Sequence, residues 1–206
     1  MTTEVKMSVG RNRGFDLEHA VEAAMYTFWR QGFHGTSLSD LTEAMGINKS
    51  SLYGTFKNKE SLFIETVNHY ARLYGQPNRQ RLLNASAQNT AEKLQPYLFN
   101  IADRITDTRC PAGCFITNST CEVNEGSLPE EAIAAVESLN RNSIKMLAQF
   151  FEAEIANGNL ENKMSPQSYA NYIQTMQYGL GVMAKNRQTI QVLKQVIELG
   201  LAAFRK

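Results

Sequence analysis

Almost no net charge, few cysteines, one tryptophan and no long apolar run narrow this 206-residue chain before any motif is read. Lysine and arginine (21) nearly balance aspartate and glutamate (20), so the formal charge is +1 and the total offers no argument for nucleic acid. No apolar run approaches the roughly 20 residues of a membrane span. The first residues lack the apolar core of an export signal, which predicts a cytoplasmic protein without membrane contact. Three cysteines are an odd number in a chain too large to need staples, and they fit a reducing compartment. Also missing are a glycine-rich phosphate loop, a nucleophile elbow and paired His and carboxylate residues at metal spacing. Those absences predict no enzyme, no cofactor and no metal. With 43% hydrophobic and 20% charged residues, a packed soluble core is expected and disorder is not.

Where the charges fall says more than their sum. Between residues 44 and 59 stand Lys49, Lys57 and Lys59 and no acid, whereas residues 122–161 carry eight acids against Arg141 and Lys145. The basic stretch coincides with a helix-turn-helix pattern. Asp16 can cap a helix to about residue 31, whose Leu17, Ala20, Val21, Ala24, Met25 and Phe28 make one apolar stripe, ended by Gly32 and Gly35. Ser37, with Asp40 three residues on, opens a second helix with Leu38, Leu41 and Met45 inward. Gly46 supplies a turn, Ile47 an apolar plug, and Asn48 a cap for a third helix holding Leu52, Tyr53 and Phe56 at core spacing. Lys49, Ser50, Ser51, Gly54 and Thr55 are left for its outer face. Small side chains let a helix sit deep in a major groove, and hydroxyls and ammonium groups reach bases and phosphates. Residues 1–14, with Lys6, Arg11 and Arg13, read either as a solvated tail or as a basic arm on DNA.

Taken together, residues 15–63 resemble the DNA-binding domain of the TetR family of bacterial transcriptional regulators. The landmarks are Gly32-Phe33, Thr36-Ser37, Ala44-Met45-Gly46-Ile47, Ser50-Ser51-Leu52-Tyr53, Phe56 and Lys59-Glu60-Ser61-Leu62-Phe63. Thr42 departs from the alanine usual there. The resemblance implies an all-α chain: an arm and three-helix DNA-binding domain over residues 1–60, and a larger ligand-binding and dimerisation domain over residues 61–206. It further implies Thr36, Tyr53 and Lys59 on phosphates and Lys49, Ser50, Ser51 and Gly54 in the groove of a palindromic double-stranded operator. The expected function is repression relieved by a small-molecule effector of unknown identity.

Beyond the reader, Asn58 caps a helix expected to stop at Gly75, Pro77 and Asn78. Further helices are expected over residues 90–106, 114–123, 129–156, 166–185 and 189–204. The last two, with Tyr172, Met176, Gly179, Val196 and Leu199, match a homodimer interface implied by the family. Apolar and aromatic positions such as Phe99, Phe115, Phe150 and Tyr178 are candidate effector contacts, though such residues more often fill cores. Cys110, Cys114 and Cys121 fall at helical offsets that Pro111 and Gly113 interrupt. Gly113-Cys114-Phe115 with Asn118 resembles a Gly-Cys-apolar-x-x-Asn element of the family, one branch of which senses electrophiles through that cysteine. A repressor switched through Cys114 is therefore one alternative, and indifferent thiols are another. A helical interaction protein that binds no DNA is the rival from a different class, and it leaves the acid-free basic segment unexplained.

Overall fold

The computed structural model describes residues 16–123 and 128–205, and helix is the only regular secondary structure among them. The proposed arm of Lys6, Arg11 and Arg13 lies outside the described residues. Helix α1 (Leu17–Gly35) starts where the Asp16 side chain accepts hydrogen bonds from the backbone N–H groups of Glu18 and His19. Its regular part ends at Gly32, whose φ of 75° and ψ of 170° no helix allows. Helix α2 (Leu38–Met45) opens with a full capping box between Ser37 and Asp40 and closes at Gly46 in the left-handed region, φ 64°. Helix α3 (Lys49–Phe56) is capped by Asn48, and α4 (Lys59–Tyr70) by Asn58. Buried Phe28, Phe33 and Phe63 meet edge-on or stacked and lock α1 against α4, with Leu41 and Leu52 sealing the turn between α2 and α3.

The expected stop after residue 74 does not occur. A π-helical turn (Ala71–Gly75) leads straight into α5 (Gln76–Leu83), and Gly75 and Gln76 keep helical φ and ψ. Pro77 sits in the first turn of α5, where its missing N–H does no harm. The widened turn absorbs the register change, so helical backbone continues from the reader into the body.

That body comprises α6 (Thr90–Ile105), α7 (Phe115–Val123), α8 (Glu130–Ala156), α9 (Pro166–Lys185) and α10 (Ile190–Leu201). Leu94, Leu98, Ile105, Leu147, Phe151, Ile173, Leu193 and Ile197 fill its core. A second core contains the reader but does not stop at residue 60. It takes in Leu62, Phe63, Val67 and Tyr70 of α4, Phe115 of α7, and Ala132 and Val136 of α8. A boundary between residues 60 and 61 therefore cuts through continuous packing, and α4 and α7 belong to both halves.

Candidate nucleic-acid interface and effector cavity

Helix α3 is held from one side only. Leu52 and Phe56 are buried, while Lys49, Ser50, Tyr53 and Gly54 are exposed and Ser51 is half-buried. The exposed face holds no carboxylate, and Lys57 at the helix C-terminus adds a further cation on an exposed residue with φ 68°. Gly54 is the informative member. It has ordinary helical geometry, and a Cβ built there meets nothing within 4 Å, so the fold itself gives no reason for glycine. A residue that weakens a helix without relieving any internal contact points to a close approach from outside.

Two of the expected phosphate contacts sit differently. Thr36 is 1% exposed; its hydroxyl donates to the Gly32 carbonyl at 2.6 Å and its N–H donates to the Phe33 carbonyl. Its side chain ties down the α1 break and does not reach the surface, which corrects its assignment as a phosphate contact. Lys59 is half-buried with Nζ 4.3 Å from the Phe33 ring centre, and burial lowers its pKa from the ordinary value against the opposing pull of Glu60, Glu122 and Asp40. Tyr53, 47% exposed, stands clear of the core that its spacing suggested.

A cavity of about 350 Å³ opens between the π turn, α5, α6, α7, α8 and α9. Tyr70, Tyr74, Arg104, Cys114 and Tyr178 line it, together with a set of amides and hydroxyls. Arg104 anchors the group: its guanidinium carbon lies 5.0 Å from the ring centres of both Tyr70 and Tyr74, and Nη1 donates to the Tyr70 hydroxyl. That hydroxyl lies 3.3 Å from the Cys114 sulfur. Burial works to raise the Cys114 pKa, but Arg104, Tyr70 and Thr117 together bring it below the usual thiol value. Gly113 delivers the cysteine here with φ 84°, and any Cβ would stand 2.9 Å from the Gly181 carbonyl on α9.

Of the effector contacts suggested by the sequence, Cys114 and Tyr178 line this cavity. Phe115 does not: it is 1% exposed and packs against Trp29, Phe63 and Tyr70. Phe150 meets Phe151 edge-on in the body core, Phe99 lies under Lys194, and Asn118 on α7 is not among the cavity-lining residues. Cys110 is half-buried beside Tyr26 and Tyr74, and Cys121 is exposed, so the three thiols do not share one helical face. Arg104, Tyr70 and Tyr74 escape sequence reading because nothing local marks residues that meet only between α6 and the end of α4 with its π turn.

Helix α7 joins the two places. Cys114 lies at its start, and near its end Glu122 Oε2 accepts from the Phe33 N–H at 2.8 Å. Gly32 makes room for that carboxylate, since a Cβ there would lie 2.8 Å from Glu122 Oε1.

Comparison with known proteins agrees with this architecture. Residues 20–66 match the model for bacterial regulatory proteins of the tetR family. HTH-type transcriptional repressor ComR of Escherichia coli (strain K12) is 28% identical over 192 residues, covering 93% of this chain and 90% of the relative. Reduced E. coli NemR shares the fold at 21% identity, with a TM-score of 0.77 over 89% of this chain and 93% of NemR. A cysteine mutant of the TetR family transcriptional regulator CifR, complexed with 26bp double-strand operator DNA, is 32% identical. The match covers 95% of this chain and all (100%) of that one, with a TM-score of 0.84. A capped helix-turn-helix on a helical body, matched over nearly its whole length at this identity, leaves one assignment: the chain belongs to the TetR family of DNA-binding transcriptional regulators.

Proposed function

We propose that this protein is a repressor that grips a palindromic operator as a homodimer and is released when a small molecule enters the cavity around Arg104. The observation that carries the DNA half is the outer face of α3, acid-free and built around a glycine the fold does not need. Lys49, Ser50, Ser51 and Gly54 would face the major groove, with Tyr53 and Lys59 on flanking phosphates and Lys57 as an added cation. Residues 1–60 form the reading part and residues 61–206 the controlling part, with α4 and α7 shared between them. Release follows from geometry. A ligand that shifts the start of α7 also moves Glu122, and Glu122 holds the Phe33 backbone at the bend near the end of α1. The repressor then favours a spacing of its reading heads that fits the operator poorly, and affinity falls by linkage.

Substituting Gly54→Ala separates reading from folding. Alanine is the better helix former by about 0.5–1 kcal/mol, so the melting temperature should hold or rise. The added methyl should meanwhile weaken operator binding about tenfold, roughly 1.4 kcal/mol. Fluorescence anisotropy on a labelled operator and a thermal melt measure the two effects; unchanged affinity would remove α3 from the groove.

A second reading is favoured by the lowered Cys114 pKa beside Arg104. Alkylation of the thiol would fill the cavity from within and release DNA as a ligand does. N-ethylmaleimide should then lower operator affinity in the wild type and leave Cys114→Ser unaffected. Equal losses in both proteins would assign the effect to Cys110 or Cys121.

A further inference from the structure

Two other cations of the body have carboxylate partners. Lys93, with 12% of its side chain exposed, pairs with Glu154 at 2.6 Å, and Lys194 pairs with Asp103 at 2.9 Å. Arg104 has no carboxylate within ion-pair distance among the described residues, and its guanidinium lies against two tyrosine rings. The cavity that it lines contains a second guanidinium, the exposed Arg79 of α5, and no aspartate or glutamate among the described residues. Its remaining polar lining, including Asn140, Ser143, Gln174 and Gln177, consists of neutral donors and acceptors. Asn78 also lines the cavity, and its side chain asks for a donor there, not for a negative charge. It is 6% exposed, its Nδ2 donates to the Tyr97 carbonyl, and its Oδ1 has no partner among the described residues. The rest of the wall is apolar, with Ile101, Ile116, Leu139 and Met146.

A charged group taken out of water without a counter-ion is costly, and a carboxylate fits the planar fork of arginine with two parallel hydrogen bonds. We infer that the cavity takes a small organic anion, a monocarboxylate with an apolar body, whose carboxylate pairs with Arg104 while Arg79 attracts it at the mouth. About 350 Å³ lies near the lower end of small-molecule sites, which run from roughly 300 to 1,000 Å³, so the body is one ring or a short chain. The inference rests on the cavity being the effector site, and it names the chemistry of that effector. The carboxylate takes the place beside Arg104 that the Cys114 sulfur otherwise shares, so a bound acid shields the thiol.

Matched acid and amide pairs test this: phenylacetate against phenylacetamide, and hexanoate against hexanamide, titrated into the wild-type chain by calorimetry in low-chloride buffer. The acids should bind at least tenfold more tightly than their amides and should slow N-ethylmaleimide labelling of Cys114. In Arg104→Met the advantage of the acids should vanish, while Arg104→Lys should keep part of it; operator binding and a thermal melt confirm that each variant is folded. Amides binding as well as acids, no binding of either, or an acid advantage unchanged in folded Arg104→Met would each overturn the inference. Its failure remains distinct from failure of the effector site. Uncharged compounds that release the operator in the wild type but not in Tyr178→Trp, which narrows the cavity, would keep the site and sink the anion.

Discussion

Replacing Phe115 with alanine should lower the unfolding free energy by about 3–5 kcal/mol, the range for removing a fully enclosed phenylalanine ring. The ring is 1% exposed and lies 6.1 Å from the centre of Trp29, 5.9 Å from Phe63 and 5.6 Å from Tyr70. Each of those partners is itself buried and held by other rings, so little can move in to fill the space. Phe115 is also the residue through which the start of α7 grips α1 and α4. Losing it should loosen the reader as well as the body, and operator affinity should drop even below the melting temperature. Urea unfolding followed by circular dichroism gives the first quantity and anisotropy at 25 °C the second. A cost under about 1 kcal/mol would mean that the aromatic cluster collapses onto the gap and that α7 is held mainly by Glu122 and Gly113.

The reader was legible in the sequence because its signals are local. Ser37 with Asp40, Gly46, Asn48 and Asn58 each act within four residues of their own position, and the structure uses every one as a cap or a turn. Thr36 shows where local reading stops: its surroundings are set by the bend at Gly32, which puts the hydroxyl inward. The same limit explains the helix through Gly75 and Pro77. Breakers shift local preference by a few kcal/mol at most, and packing on both sides of a π turn outweighs that. The cavity was the least legible part. It is assembled from residues 70–79, 97–117, 139–146 and 174–178, and no periodicity within one segment reports which side chains meet across the others. Aromatic residues are natural candidates for ligand contacts, yet most of those named build core, and the polar cluster around Arg104 lines the cavity. Cys114 and Tyr178 are the two lining residues that the sequence offered, Cys114 through the Gly-Cys-apolar-x-x-Asn element, whose Gly113 the structure holds at φ 84°.

Dimerisation offers the second large effect. Leu199 on α10 is 78% exposed, with Val182 at 47% and Tyr172 at 43% on the adjacent α9. Three large apolar side chains this open on neighbouring helices form the kind of surface that a second copy covers. Leu199→Glu should break that contact, because a two-fold axis brings each new carboxylate near its counterpart and near Glu198, already half-buried one position earlier. Light scattering after gel filtration should show a monomer at micromolar concentration. Operator affinity should fall by at least about 100-fold, since linked half-site binding is commonly worth 10² to 10⁴ over a single site. The side chain touches little within its own chain, so helical content by circular dichroism should survive even where thermal stability falls with the lost partner. Leu199→Ala provides the graded control and should weaken the dimer without adding charge. A Leu199→Glu protein that stays dimeric and binds its operator at wild-type strength would move the interface off this face. The pairing of the two reading heads would then have to be sought elsewhere on the body.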